Sequence, residues 1–210
     1  MSLVDELIKS KYLKTPEIIK AFREINRRDF VREVDKEYSE KNIAMPIGCS
    51  QTISQPLVVA FMFELLQPWR GEKILDIGSG SGWTTAMLAH IVGDQGTVYS
   101  VERIEELKNL AEKNIDKYNF VKKARVHIFC SDGYEGLPDY YPFDKILISA
   151  TSEELPNELL RQLKIGGTMV VPIGEQGKNQ NIVCVKKILE TKIEKQIFPG
   201  FIFVPLIKNN

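Results

Sequence analysis

The chain has few of the residues from which proteins build disulfide frameworks and metal centres. Its 210 residues include three cysteines, at positions 49, 130 and 184, and two histidines, His90 and His127. Scattered cysteines in odd number suit neither a disulfide framework nor a C-x-x-C metal site, and the histidines lie far apart in the sequence. The sequence therefore gives no signal for a metal site or for a Ser-His-Asp hydrolase, and we expect no metal.

The chain also lacks an excess of charge of one sign and any long hydrophobic run. Its 28 basic and 28 acidic side chains balance, so no overall field would draw the protein to nucleic acid or to a membrane. No stretch approaches the roughly 18 apolar residues of a membrane span, and the amino terminus lacks the pattern of a signal peptide. We expect a cytoplasmic monomer that binds neither nucleic acid nor membranes.

What the sequence does contain, from Lys73 onward, is an alternation of strand and helix patterns. This alternation predicts an α/β fold with a doubly wound, mostly parallel, seven-stranded sheet that carries helices on both faces. The last two strand runs have no clear helix between them, so we expect an antiparallel hairpin there. Leu163–Gly167 is typical of a helix end with a glycine cap. The predicted strands are 73–78, 97–102, 124–130, 143–150, 167–173, 180–188 and 195–204, and the predicted helices are 82–93, 103–118 and 153–164.

The first third of the chain is predicted as a helical extension of the same domain. A content of 43% hydrophobic residues is enough for one substantial core, so we expect a single domain with an extension at 1–70 and a core at 71–210. Thr15 can cap a first helix that begins with proline, and a second helix begins near Pro56. Between these helices, residues 42–55 show no clear periodicity, and irregular loops of this length are often functional.

A glycine-rich turn follows the first strand of the core. Its G-x-G-x-G pattern lets the backbone approach a ligand closely, and the helix beyond it offers unpaired N–H groups. The spacing is one residue shorter than the dinucleotide fingerprint, which counts against an oxidoreductase of similar topology. The turn consists of Gly78, Ser79, Gly80, Ser81 and Gly82 and is preceded by Asp76.

Acidic side chains close the next two strand runs. Glu102 lies about 20 residues beyond the glycine turn, where an acid can accept hydrogen bonds from both ribose hydroxyls of a nucleoside. The alternative is an ordinary exposed glutamate at the start of the charged helix that Arg103 opens. Asp132, followed by Gly133, could accept from an adenine amino group or cap the following turn. Because ligands of open parallel sheets bind at the carboxyl ends of the strands, these positions predict one nucleoside-binding edge.

Two of these features resemble a known family. The glycine turn with its preceding acid resembles the nucleoside loop of S-adenosylmethionine-dependent methyltransferases, and Met45–Pro56 closely resembles the substrate loop of protein-L-isoaspartate O-methyltransferases. The resemblance covers nearly the whole chain, which is identified as a member of that family. The other matching motifs, in the expected order, are Arg28–Val31, Pro142–Asp144, Gln162–Gly167, Val171–Gly174 and Phe203–Leu206.

The resemblance implies a class I methyltransferase fold and a role in protein repair. The cofactor would be S-adenosyl-L-methionine, with S-adenosyl-L-homocysteine as product, and the substrates would be isoaspartyl-containing proteins and peptides. Methylation of the free α-carboxylate gives an ester that collapses through a succinimide and partly restores aspartate. The implied substrate loop is Gln51, Thr52, Ile53 and the active-site Ser54. The implied cofactor residues are Asp76, Gly78, Ser79, Gly80, Ser81, Gly82, Glu102, Arg103, Asp132 and Gly133.

Some positions depart from the family pattern. Ser50 and Ser131 stand where many relatives have glycine, and Ile207 stands where some have threonine, which puts one contact in doubt. Another methyltransferase, acting on RNA, DNA or a small molecule, is the nearest alternative. Base-nitrogen methylation commonly uses an Asn/Asp-Pro-Pro-aromatic motif where this chain has Ser149–Ser152. This difference and the zero net charge argue against that branch and leave ring-nitrogen methylation of tRNA open. A non-catalytic binding module that retains the fold is the alternative from a different class.

Overall fold

A computed structural model describes residues 1–208 of the chain. Six α-helices and nine strands are formed within this range, together with short 3-10 helices. The helices are α1 Leu3–Lys9, α2 Pro16–Glu24, α3 Pro56–Leu66, α4 Trp83–Val92, α5 Glu105–Asp116 and α6 Asn157–Gln162. The strands are β1 Met45–Gly48, β2 Gln51–Ile53, β3 Lys73–Ile77, β4 Thr97–Glu102, β5 Val126–Cys130, β6 Phe143–Ile148, β7 Leu163–Ile173, β8 Gln180–Leu189 and β9 Lys192–Phe201.

Seven of the strands form one sheet in the order β5-β4-β3-β6-β7-β8-β9. The first five strands in this order pair in parallel, whereas β7 with β8 and β8 with β9 pair antiparallel. The predicted fold class, including the antiparallel hairpin at the end of the chain, is confirmed. From β3 the chain first adds β4 and β5 on one side and then β6 and β7 on the other. The carboxyl ends of β3, β4 and β6 therefore lie side by side at the point where open α/β sheets bind ligands.

The central strands β3, β4 and β6 are buried on both faces because they are rich in apolar residues, whereas β9 is mostly exposed. In β3, Ile74 belongs to one core layer, and Leu75 and Ile77 belong to the opposite layer. Helices α3, α4 and α5 pack on the first face. Helix α6, through Leu159, covers the other face together with the turn around Leu137. These two layers fix the strand ends that carry the candidate site.

The extension is helical, as predicted, and packs against the core. Helix α2 buries Ile18, Ala21 and Phe22, the one-sided spacing of an amphipathic helix. Thr15 occupies the predicted cap position, but its hydroxyl donates to the Glu64 carboxylate of α3 at 2.8 Å instead of capping its own helix. Helix α1 was not predicted from the sequence.

The structure corrects two local predictions. The supposedly irregular segment 42–55 contains an antiparallel hairpin of β1 and β2, whose turn residues are Cys49 and Ser50. The predicted glycine cap at 163–167 is wrong, because α6 ends at Gln162 and the chain enters β7 at once. Gly166 instead adopts a φ of +84° within β7, close to a register shift against β6.

In residues 1–208, no helix combines the length and the apolar character needed to cross a membrane.

Candidate active site

A cavity lies at the carboxyl ends of the central strands and is roofed by the β1–β2 hairpin. It encloses about 860 Å³ of empty space, counting its open mouth. Most of the predicted site residues line it, although they come from four separate parts of the chain. The predicted residues in its wall are Gln51, Thr52, Ile53, Ser54, Gly78, Ser79, Gly80, Ser81, Glu102, Arg103 and Gly133.

The glycine turn has the backbone conformation that its sequence indicates. Gly78, Gly80 and Gly82 have φ values of +82°, +53° and +96°, in the left-handed region that favours glycine. The three differ in what a side chain would meet. A Cβ at Gly80 would lie 3.0 Å from the Ile47 side chain of the hairpin, whereas one at Gly82 would lie 2.9 Å from Ile115 of α5. Gly82 therefore permits helix packing, and it does not line the cavity.

Glu102 connects the end of β4 to the glycine turn. Its side chain is buried and accepts hydrogen bonds from the N–H of Gly80 at 2.9 Å and from the N–H of Ile104 at 3.0 Å, one on each carboxylate oxygen. It is therefore not the exposed start of a helix. A carboxylate oxygen can accept more than one hydrogen bond, so Glu102 can order the turn and still accept from a ligand in the cavity.

Asp76 lies beneath the turn and is fully buried. One of its oxygens accepts from the hydroxyls of Thr84 and Thr85, at 2.9 and 2.7 Å, and within residues 1–208 the other oxygen has no hydrogen-bond partner. Burial raises the pKa of Asp76 to about 6, although the two hydroxyls oppose this shift. Asp76 does not itself line the cavity, and it supports the turn from below through the first residues of α4.

Two serine hydroxyls of the turn are buried without partners. Within the described range, neither Ser79 Oγ nor Ser81 Oγ makes a hydrogen bond, although both residues face the cavity. A buried hydroxyl without a partner costs free energy, so polar groups of a ligand would stabilise this arrangement. Together with Glu102, these two serines are polar residues of the cavity wall at the glycine turn.

The hairpin brings the predicted substrate loop over the glycine turn. Residues 51–54 line the cavity opposite Gly80, and the carbonyl of Ser54 accepts from the Arg27 guanidinium at 3.1 Å. The Ser54 hydroxyl makes no hydrogen bond within residues 1–208. Gln55 occupies the cap position of α3 and makes no side-chain capping bond there. Ser54 is therefore not the cap of that helix, and its hydroxyl is left for the cavity.

The end of β5 supplies less of the cavity than expected. Gly133 lines the cavity, but Asp132 does not. Asp132 Oδ1 accepts from the N–H of Tyr134 at 2.8 Å, which is the turn-capping alternative considered for this residue.

A second segment lines the cavity near the carboxyl end of the described chain. Val204–Ile207 runs beside Thr151, whose N–H donates to the Val204 carbonyl and whose carbonyl accepts from Leu206. Ile207 is therefore a cavity residue.

Sequence reasoning missed several apolar and backbone contributions to the site. Trp83 and Thr84 follow the glycine turn directly. Their position at the start of α4 could have indicated from the sequence that they line the cavity. Other residues reach the cavity only through the fold, and no local pattern marks them. They are Val59, Ile77, Val101, Ile104, Ser149 and Ala150.

Neither histidine takes part in this site. His127 stacks against Tyr99 on the sheet, with ring centroids 5.2 Å apart, and His90 lies at the end of α4 away from the cavity. In the described part of the chain, no three His, Cys, Asp or Glu residues are grouped in a way that could hold a metal ion.

The seven-stranded sheet and the glycine turn, with its acid on the next strand, define a class I S-adenosylmethionine-dependent methyltransferase. Comparison with known proteins agrees with this class. The model of the protein-L-isoaspartate(D-aspartate) O-methyltransferase family matches residues 1–210. The chain belongs to this family.

Curated relatives cover almost the whole chain. A protein-L-isoaspartate O-methyltransferase of Flavobacterium psychrophilum is 41% identical over 203 residues, which are 97% of this chain and 92% of that protein. The enzyme of the same name from Ignicoccus hospitalis is 37% identical over 98% of this chain and 96% of its own.

A solved structure shares the fold. It is a Plasmodium falciparum protein assigned as a protein-L-isoaspartate O-methyltransferase, in complex with S-adenosyl-L-homocysteine. It superimposes with a TM-score of 0.88 over 99% of this chain and 97% of its own, at 24% identity.

Proposed function

We propose that this chain transfers the methyl group of S-adenosyl-L-methionine to the free α-carboxylate of L-isoaspartyl residues in damaged proteins and peptides. It thus acts as a protein-L-isoaspartate(D-aspartate) O-methyltransferase in protein repair. Family membership over the full chain supports this assignment. The observation that carries it in the structure is one cavity that has the glycine turn and Glu102 on one side and the loop Gln51–Ser54 on the other.

The glycine turn and its neighbours form the cofactor side of this cavity. When bound, S-adenosyl-L-methionine supplies a methyl group made electrophilic by its sulfonium. Glu102 accepts from ribose hydroxyls, and Ser79 and Ser81 bring otherwise unpartnered hydroxyls. Asp76 and Gly82 act indirectly, through the support of the turn and the packing of α4. Arg103 and Gly133, which line the cavity, complete the proposed cofactor residues together with Asp132, which caps the turn after β5.

Residues Gln51–Ser54 form the substrate side. The hydroxyl of Ser54 donates a hydrogen bond to the isoaspartyl α-carboxylate and orients one of its oxygens toward the cofactor side. A carboxylate with a pKa near 4 is already ionised at neutral pH, so the protein needs to hold its nucleophile in place and does not need to deprotonate it. Such positioning contributes roughly 7–11 kcal/mol in favourable cases.

The remaining proposals concern the cellular compartment, the oligomeric state and the partners of the enzyme. We propose that it works in the cytoplasm as a single-domain monomer, with proteins and peptides as substrates and without nucleic acid. The balanced charge of the chain and its few scattered cysteines support this setting. Gel filtration with light scattering checks the oligomeric state.

The decisive test of the reaction uses labelled S-adenosyl-L-methionine and two peptides that differ only in an aspartyl or an isoaspartyl linkage. A normal aspartyl residue presents its side-chain carboxylate one methylene away from the required position. The polar groups of the substrate loop are then left without a hydrogen-bond partner. We expect methyl transfer to the isoaspartyl peptide and very little to its partner. Comparable kcat/KM values on the two peptides would remove the repair function, even if methyl transfer were seen.

A second test separates an orienting serine from a catalytic base. Ser54→Ala should lower kcat/KM by about 1–3 kcal/mol of transition-state stabilisation, the value of a hydrogen bond to a charged group. The affinity for S-adenosyl-L-homocysteine should change much less, because the glycine turn carries that binding. With chemistry rate-limiting, the rate should lack a steep rise between roughly pH 6 and 8. A rise that disappears in His127→Ala would reveal a base and rule out simple positioning.

A further inference from the structure

Arg27 is a buried cation that the mechanism above does not use. It opens the 3-10 helix Arg27–Phe30 after α2, and only 3% of its surface is exposed. Within residues 1–208 it forms no ion pair. Burial lowers the pKa of Arg27 to about 10, which still leaves it charged at neutral pH. A buried charge without an ion pair is costly unless it is hydrogen-bonded. Within residues 1–208 Nε of Arg27 has no hydrogen-bond partner, so the contacts of Nη1 and Nη2 identify its role.

The partners of Arg27 are four backbone carbonyls of the segment that enters and leaves the hairpin. Nη1 donates to the carbonyls of Ser39 and Lys41 at 3.1 and 3.2 Å. Nη2 donates to those of Ile43 and Ser54 at 2.8 and 3.1 Å. One planar group therefore ties both ends of the hairpin together, and the last of its bonds ends on the peptide of the proposed active-site serine.

The same guanidinium also contacts the cofactor side of the cavity. Its carbon lies 5.3 Å from the centroid of the Trp83 ring, within the range of a cation–π contact. Trp83 is the first residue of α4, directly after the glycine turn, and it lines the cavity. Its indole N–H donates to the carbonyl of Ile25 at 3.4 Å, two residues before Arg27. Arg27 thus lies between the two halves of the site and contacts both.

We propose that Arg27 is a positioning residue that fixes the peptide of Ser54 relative to Trp83 and the glycine turn. The inference rests on the proposed function of Ser54. The site requires arginine because the two terminal nitrogens of its planar guanidinium donate to four carbonyls. The flat face of the same group can lie on the indole ring. Lysine has three donors on one nitrogen and no plane. A small displacement of Ser54 would spoil the alignment of substrate with cofactor and leave the cofactor contacts in place.

The test compares Arg27→Lys with Arg28→Lys. The neighbour is an exposed arginine of the same turn, and it is the one in the Arg28–Val31 motif. We expect Arg27→Lys to lower kcat on the isoaspartyl peptide by about 100-fold, as a misplacement of about 1 Å can do. Calorimetric affinity for S-adenosyl-L-homocysteine should stay close to that of wild type. Arg28→Lys should leave both quantities unchanged. If wild type is active and Arg27→Lys is equally active, the role of Arg27 is wrong and the proposed function stands. If wild type itself does not methylate the isoaspartyl peptide, both the proposed function and the role of Arg27 are wrong.

A double-mutant cycle with Ser54→Ala distinguishes positioning from general support of the fold. If Arg27 acts through Ser54, the loss of kcat caused by Arg27→Lys shrinks in the Ser54→Ala background, because misplacing an absent hydroxyl costs nothing. Full additivity would contradict the proposal. Should Arg27→Lys not fold, the uncharged Arg27→Gln replaces it in the same cycle. If both variants are unfolded at the assay temperature, Arg27 is a folding determinant and the positioning role is wrong.

Discussion

The two sides of the cavity are held in place by different means. On the cofactor side, hydrogen bonds join the glycine turn to the neighbouring strand β4. The N–H of Gly78 donates to the carbonyl of Val101 at 2.8 Å, and the N–H of Gly80 donates to the Glu102 carboxylate. On the substrate side, the hairpin is a separate two-stranded sheet, and the long Arg27 side chain crosses to hold it. The parallel sheet itself specifies the first side, whereas one buried side chain specifies much of the second.

The largest effect should come from Gly80, where the two sides touch. Gly80→Val places a β-branched residue at a φ of +53° and its Cβ 3.0 Å from Ile47 of the hairpin, so the turn must change conformation and release Glu102. We expect calorimetric binding of S-adenosyl-L-homocysteine to be lost. Gly177→Val is the matched control, because Gly177 has a φ of +77° but no neighbouring atom within 4 Å. Retained affinity in Gly80→Val would show that the two sides are independent.

Asp76 tests whether the cofactor side carries a buried charge. Its native pKa, raised to about 6, exceeds the usual 3.8, so its contribution to stability is complete below the lower value and is lost as pH rises through the higher one. Relative to Asp76→Asn, wild type should lose up to about 3 kcal/mol of unfolding free energy between pH 4 and 7. Urea unfolding across this range, without ligand, measures the difference. A flat difference for Asp76→Asn would contradict the raised pKa.

Glu102 has two roles on the cofactor side, the proposed contact with the ligand and the support of the glycine turn. Glu102→Ala removes the proposed ribose acceptor together with the partner of Gly80, and it should weaken S-adenosyl-L-homocysteine binding by about 1–3 kcal/mol. Isothermal titration calorimetry checks this value, with the exposed Glu105→Ala as control. Unchanged affinity in Glu102→Ala would remove Glu102 from the cofactor site.

The smallest effect concerns the tip of the hairpin on the substrate side. Cys49 and Ser50 both have positive φ, at +49° and +57°, which a two-residue hairpin turn of this kind requires and which glycine adopts more easily. Ser50→Gly should raise the unfolding free energy by about 1 kcal/mol. Ser131, the other serine where many relatives have glycine, is not at positive φ, so Ser131→Gly should not stabilise the protein. Equal effects of the two changes in urea unfolding would show that the turn is unstrained.

The sequence predicted the cofactor side better than the substrate side for a physical reason. Strand alternation and the glycine spacing are local patterns, so the sheet, its edge and the positions of Gly78, Gly80 and Glu102 follow from them. The hairpin strands span only four and three residues, and the Cys49–Ser50 turn lacks the Asn-Gly signal of a hairpin. The family resemblance identified residues 51–54 as a substrate loop without indicating their conformation.

Other differences between sequence and structure arise from contacts that no local pattern reports. Helix α6 is shorter than predicted and begins only after Pro156. Gly82 has the periodic position of a ligand-binding glycine but faces Ile115. Arg27 and Arg28 look alike in the sequence, and only the fold shows that the first is buried among carbonyls and the second is exposed.

The segment that closes the cavity has a consequence for the order in which the protein acquires its activity during synthesis. Val204–Ile207 lies far along the chain and is joined to Thr151 by two backbone hydrogen bonds. A ribosome releases the hairpin and the glycine turn long before this segment, and folding begins from the residues that emerge first. A nascent chain that has already formed its parallel strands still has an open cavity until residue 207 has emerged. The wall of the cavity is therefore complete only after β9 and residues 204–207 have been synthesised.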